Sequence, residues 1–178
     1  MVQEAKLKAA EAGLAPEGEG WFVVNARAAR WYGSEGLAKF CPFEGDASFP
    51  ELGINITVLD PGQPGCMYHG EEAQEDFLVL SGECILLVEG EERRLRAWDF
   101  FHCPAWTEHV FVGAGSGPCA VLAVGARGGR RGVRYTVAEV ATRFDACAHE
   151  ETDDNGVAYA RFSDLVARPY RSGDLPAP

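Results

Sequence analysis

From residue 38 to residue 125 the chain alternates short apolar runs with turn residues, and no long helical period interrupts them. The runs fall at 38–43, 53–59, 67–71, 75–80, 84–88, 94–98, 100–103, 109–112 and 119–124. Pro61-Gly62, Ser81-Gly82, Glu89-Gly90 and Gly115-Ser-Gly-Pro118 separate several of them. Many short runs of this kind predict an all-β sandwich or barrel. The aromatic and β-branched stretch Gly20-Trp-Phe-Val-Val-Asn25 predicts a further strand ahead of the block. The flanks follow another period. Leu7, Ala10 and Leu14, with Gly13 as a stop and Pro16 beyond, predict a short helix over 3–12. Thr136-Val-Ala-Glu139 reads as a capping box opening an amphipathic helix with Val140, Ala141, Phe144 and Cys147 on its buried side. The rest, from His149 to Pro178, predicts irregular chain with one helical piece near 162–167. The expected organisation is thus an N-terminal helix and linker over 1–20, a barrel over 21–126, and a C-terminal helix with an irregular tail over 127–178.

With 178 residues, 47% of them hydrophobic, the chain suits one domain with a continuous core. The formal net charge of −11 repels a phosphate backbone or an anionic membrane surface, so nucleic acid and membrane are both poor partners. The basic stretch from Arg127 to Arg134 runs against this trend, but a glycine-rich basic run reads as a solvated loop. No apolar run reaches transmembrane length and the N-terminus lacks the apolar centre of a signal peptide, which predicts a cytoplasmic protein. The six cysteines form no CxxC pair and are expected to be reduced, packed thiols.

Candidate chemistry concentrates in two segments. In the first, strand alternation places His69 and Glu71 on one face together with Met67, and a brief turn over 72–74 returns the chain as a neighbouring strand from Glu75. An imidazole and two carboxylates come within reach of one ion. In the second, a strand meets Pro104, turns, and restarts at His109, which shares its face with Phe111.

The two segments resemble the paired motifs of the cupin superfamily. His69 matches the first histidine of the first motif, Glu75 its glutamate, and Gly82 follows after six residues. Pro104 and His109 match the proline and histidine of the second. Glu71 stands where the family places a second histidine, and Trp98 and Trp106 stand where it places glycines. The resemblance implies a double-stranded β-helix, a jelly-roll-like barrel, here with short N- and C-terminal helices. It also implies one divalent transition metal, iron, manganese, zinc or nickel, held by His69, Glu75 and His109 with Glu71 at or beside it. Two carboxylates and two neutral imidazoles would cancel the ion's charge.

Three roles stay open for Glu71: fourth ligand, general base beside the metal, or solvated rim residue. His102 is expected to pack among aromatic neighbours rather than ligate, and His149 to lie at the surface. Phe77, Phe111, Met67 and Trp106 read either as the lining of an apolar pocket or as ordinary barrel core. The expected function is a metal-dependent oxidoreductase of dioxygenase type acting on a small organic molecule, with Glu71 as base. The alternatives are a metal-dependent isomerase, epimerase or lyase acting on a sugar or keto acid, and a non-catalytic cupin that binds a small ligand. The resemblance also implies a homodimer, with residues 21–25 as a segment able to add to a neighbour's sheet.

Overall fold

The computed structural model describes residues 1–129 and 132–175. Arg130 and Arg131 of the basic stretch, and the last three residues of the tail, lie outside the described residues.

In chain order the strands are β1 Lys6–Ala10, β2 Gly13–Glu17, β3 Arg30–Gly33, β4 Lys39–Cys41, β5 Leu52–Leu59, β6 His69–Glu71 and β7 Glu75–Ser81. They continue with β8 Glu83–Val88, β9 Glu91–Arg96, β10 Phe100–Cys103, β11 His109–Ala114, β12 Cys119–Ala126, β13 Val133–Tyr135 and β14 Val166–Pro169. Two short helices, α1 Glu139–Thr142 and α2 Asn155–Ala158, lie between β13 and β14. A seven-stranded sheet runs β10-β7-β12-β5-β4-β3-β14, a five-stranded one runs β13-β6-β11-β8-β9, and β1-β2 form a separate two-stranded sheet. All the paired strands are antiparallel, and the chain passes repeatedly between the two larger sheets, which is the double-stranded β-helix that the motifs imply.

The two sheets face each other across a core that includes Leu59, Phe77, Val79, Leu86, Phe111 and Val121. The five-stranded sheet is apolar on its other face as well. Ile85, Leu87, Val110 and Val112 pack there against Val140, Ala141 and Cys147. A sheet covered on both sides needs continuous apolar strands rather than alternating ones, which explains why β8 and β11 are buried almost throughout.

Four flanking elements differ from the sequence-based expectation. Residues 3–12 form no helix. Lys6–Ala10 pairs with β2 from Lys6↔Glu17 to Ala10↔Gly13, and isolated bridges link Glu4 to Trp21 and Leu14 to Ala29. Gly13 does stop the element, but as the corner of a hairpin: its φ is +113°, and a Cβ there would lie 2.5 Å from the Ala29 carbonyl oxygen. Pairing and this close approach override the helix propensity of an Ala/Lys-rich segment. Residues 20–25 likewise form no strand beyond the single bridge at Trp21.

The C-terminal helix is far shorter than the capping box suggests. β13 holds the chain extended up to Tyr135, so the helix begins only after Ala138, without a side-chain cap, and the Thr136 hydroxyl is buried without a partner. Val140, Ala141 and Cys147 are nonetheless buried, by turns rather than by a continuous helix. The helical piece expected near 162–167 is instead α2, capped by Asp154, and Val166–Pro169 pairs with β3 as the last strand of the large sheet.

Candidate metal centre

β6 and β11 pair at one point, His69 opposite His109, and the two imidazole centroids lie 5.1 Å apart. β6 belongs to the five-stranded sheet and β7 to the seven-stranded one. The turn over 72–74 therefore crosses to the facing sheet instead of returning alongside β6, which carries Glu75 across to the two histidines. One ligand atom from each of His69, Glu75 and His109 falls within 4.8 Å of the others.

Both histidines are buried, and backbone carbonyls set their tautomers. His69 Nδ1 is 2.7 Å from the Met67 carbonyl oxygen and His109 Nδ1 is 3.1 Å from that of Thr107. A carbonyl only accepts, so each Nδ1 carries a proton, and in the neutral ring each Nε2 presents a lone pair. His109 Nε2 lies 3.5 Å from Glu75 Oε2, and that oxygen is buried without a hydrogen-bond partner. Acceptors thus converge where a donor is missing, and a cation satisfies them all. The residues present fit a divalent metal, with the Nδ1 contacts orienting the rings.

Electrostatics agree. Burial and the neighbouring Glu71 charge push the Glu75 carboxyl up to about 7, and burial with the nearby His69 pulls His109 down to about 4. Burial also pulls on His69, but the Cys66 sulfur and the Glu71 carboxylate outweigh it and leave its pKa well above the ordinary value. Protons and a metal ion compete for the same atoms. The Cys103 thiol, 3.4 Å behind His109 Nδ1, is pushed by burial up to about 12 and stays protonated, as expected for a packed thiol rather than a ligand.

Glu71 sits beside this triad. Its Oε1 is 3.4 Å from His69 Nε2 and its side chain is 39% exposed, between the cavity and the barrel mouth. His102 is not packed among aromatics. It lies on the outer side of β10, about half exposed, with Nδ1 2.7 Å from Asp76 Oδ1. His149 is exposed.

A cavity of about 280 Å³ opens beside the triad, and Phe77 and Phe111 line it as the pocket reading anticipates. Met67 does not; it is fully buried in a separate cluster with Tyr135, Ala148 and Ala158, because the regular alternation of β6 begins only at His69. Trp106 is 52% exposed and lies outside the cavity. Trp98 and Trp106 both keep the left-handed backbone of the glycines they replace, with φ of +76° and +66°. Such a conformation is costly for a bulky residue and persists only when its surroundings hold it. At Trp106 the backbone N–H donates to the Glu71 carbonyl at 2.6 Å, and Gly70 leaves room for the Trp106 backbone against β6.

Sequence reasoning overlooked Asn55, Thr57, Tyr135 and Tyr159, which also line the cavity, as does Cys66, expected only as a packed thiol. A signal for the first two was present. In Gly53-Ile-Asn-Ile-Thr-Val-Leu59 the polar positions alternate with branched apolar ones, and β5 turns the polar set inward. Tyr135 stands opposite His69 in the β13–β6 pair with its ring 5.7 Å from the imidazole.

Residues 55–125, the stretch that carries His69, Glu75 and His109, match the cupin domain family. Among solved structures, one from Silicibacter pomeroyi DSS-3, a sugar phosphate isomerase from a cupin superfamily, is 25% identical with a TM-score of 0.50 over 62% of this chain and 68% of that one. The polyketide cyclase RemF from Streptomyces resistomycificus, 18% identical with a TM-score of 0.50 over 60% of this chain and 76% of its own, shows the same fold. A protein from Acidithiobacillus ferrooxidans that also carries the name of a sugar phosphate isomerase is 26% identical with a TM-score of 0.45. That match covers 47% of this chain and 55% of the other, so this chain spans little more than half its length. No curated protein matches the sequence.

Proposed function

We propose that the chain is a metal-dependent enzyme, an oxidoreductase of dioxygenase type that acts on a small organic molecule beside the ion. Support comes chiefly from the convergence of His69 Nε2, His109 Nε2 and the orphaned Glu75 carboxylate at the edge of a cavity. Two imidazoles and one carboxylate with room beside them are the donor set of non-haem iron(II) oxygenases, and they also suit manganese, zinc or nickel. A divalent ion supplies Lewis acidity there and, as iron(II), the redox chemistry that dioxygen requires. The chain's own residues do the rest. Met67 and Thr107 hold the imidazoles in the ligating tautomer. Phe77 and Phe111 keep water from the inner side of the site. Glu71, partly exposed and held below the usual carboxylate range by the adjacent His69, is ionised and stands where it could take a proton from an acidic substrate hydroxyl.

The test is oxygen uptake by protein stripped with chelator and reloaded anaerobically with iron(II), manganese(II), zinc(II) or nickel(II). Uptake that needs both iron(II) and an organic substrate is expected. Substrate conversion that proceeds without oxygen would favour the second reading, a metal-dependent isomerase, epimerase or lyase, which the name of the Silicibacter pomeroyi relative supports. A non-catalytic binder, the third reading, gains nothing from Trp106, which leaves the cavity open. This reading includes a cytoplasmic location; among the described residues no helix is long and apolar enough to cross a membrane.

A further inference from the structure

Resting on the metal reading above, the cavity's wall identifies the kind of molecule that fits. Strand register lays it out in rows. At the mouth Gly53, Gly125 and Glu75 stand side by side, and one row deeper come Asn55, Ala123, Phe77 and Phe101. Adjacent strands lie about 4.8 Å apart, so roughly 10 Å separates the Asn55 and Phe77 backbones, with only the Ala123 methyl group between them. The Ala123 methyl keeps one side of the cavity low, with Gly53 and Gly125 at the mouth above it, while Phe77 and Phe111 form an apolar side next to the triad. The volume of about 280 Å³ equals the share of ~9 liquid waters, space for one substituted ring.

Polar groups on the low side are few and directional. Thr57 Oγ1 donates to Asn55 Oδ1 at 2.8 Å, which fixes the amide and leaves its Nδ2 donors without a protein partner among the described residues. Charge on the wall is one-sided. The described residues lining the cavity include Glu71 and Glu75 but no lysine or arginine. Arg127, at the mouth, gives both guanidinium ends to Glu44 and one also to the Phe49 carbonyl. A phosphate dianion inside would meet two carboxylates and, apart from the ion they help to neutralise, no lysine or arginine.

We infer that the site takes a small, unphosphorylated molecule with an apolar, ring-sized body, bearing oxygens that chelate at one end and an oxygen at the other that accepts from the Asn55 amide. Asn55 is a specificity-determining residue in this scheme, and the selection runs against sugar phosphates.

The experiment uses the full chain loaded with zinc(II), which binds without turnover, and calorimetric titration with catechol, 3,4-dihydroxybenzaldehyde and glucose 6-phosphate. Metal stoichiometry is measured on every sample. Both ring compounds are expected to bind and the sugar phosphate not. The aldehyde, with an acceptor across the ring from its two hydroxyls, is expected to bind roughly tenfold tighter than catechol, the worth of one good hydrogen bond. Asn55→Ala should abolish that advantage while leaving catechol affinity and zinc content unchanged. Tighter binding of glucose 6-phosphate than of either ring compound would overturn the inference, as would an aldehyde advantage that survives Asn55→Ala. Failure to take up zinc at all would instead overturn the metal reading beneath it.

Discussion

At the scale of single residues, the metal centre separates ligating histidines from the others. His69→Ala or His109→Ala is expected to lower zinc affinity by more than about tenfold, and His102→Ala or His149→Ala to leave it unchanged. Elemental analysis after dialysis checks this; a site emptied by His102→Ala and still filled in His109→Ala would invalidate the assignment. Glu71 lies outside the set of three mutually close ligand atoms yet touches His69. Glu71→Gln is therefore expected to keep metal stoichiometry while slowing turnover by about a hundredfold or more. Loss of the metal in that variant would make Glu71 a fourth ligand, and Glu71→His should then shift preference toward softer metals. The Glu75 carboxyl, raised from 4.5 to about 7, gives a pH signature. Its raised pKa favours the metal-free fold fully below 4.5, and that contribution is lost as pH rises through about 7. A metal binds the ionised form, so the gain in Tm on adding zinc(II) should grow between about pH 5 and about pH 8; a gain independent of pH would count against Glu75 as a ligand. His69, Glu75 and His109 were legible in the sequence because two spaced motifs carry them. Tyr135 and Tyr159 were not, because they reach the cavity from segments whose position depends on tertiary pairing alone.

At the scale of elements, turns were more legible than the flanking helices, for a physical reason. A glycine at a sharp turn records a local backbone need, whereas helical spacing in a short segment competes with whatever strand edge lies nearby. Lys6–Ala10 found β2, and Val166–Pro169 found β3. The glycines themselves can be ranked. Gly62 and Gly82 have nearly equal φ, +78° and +77°. A Cβ on Gly62 would meet nothing within 4 Å, while one on Gly82 would lie 2.5 Å from the Pro118 carbonyl oxygen. Gly62→Ala should cost about 1 kcal/mol from backbone strain alone. Gly82→Ala should cost about 3 kcal/mol or more, because rigid backbone must also move. Denaturant unfolding of the two variants compares them directly, and equal losses would show that the packing of the β7–β8 corner onto Pro118 is slack.

At the scale of the whole molecule, the homodimer implied by the resemblance has sheet edges to draw on besides residues 21–25, which form no strand within the chain beyond the bridge at Trp21. β9, at one edge, carries Glu91, Glu92, Arg93, Arg94 and Arg96, a charged rim of the sort that discourages pairing. β10, at the edge of the other sheet, exposes Phe100 and follows Trp98, and both rings face solvent. A dimer is expected to cover this second edge. Light scattering should give twice the chain mass, and Phe100→Glu should shift it toward one; a stable monomer at high concentration would rule the dimer out. One further consequence follows from the crossing at residues 72–74. His69 and His109 stand on one sheet and Glu75 on the other, so a shared ion is a rivet through both walls at the open end, while the packed far end acts as the hinge. Taking the ion away should let the walls breathe, and amide hydrogen exchange would reveal it as faster exchange near the mouth with the closed end unchanged.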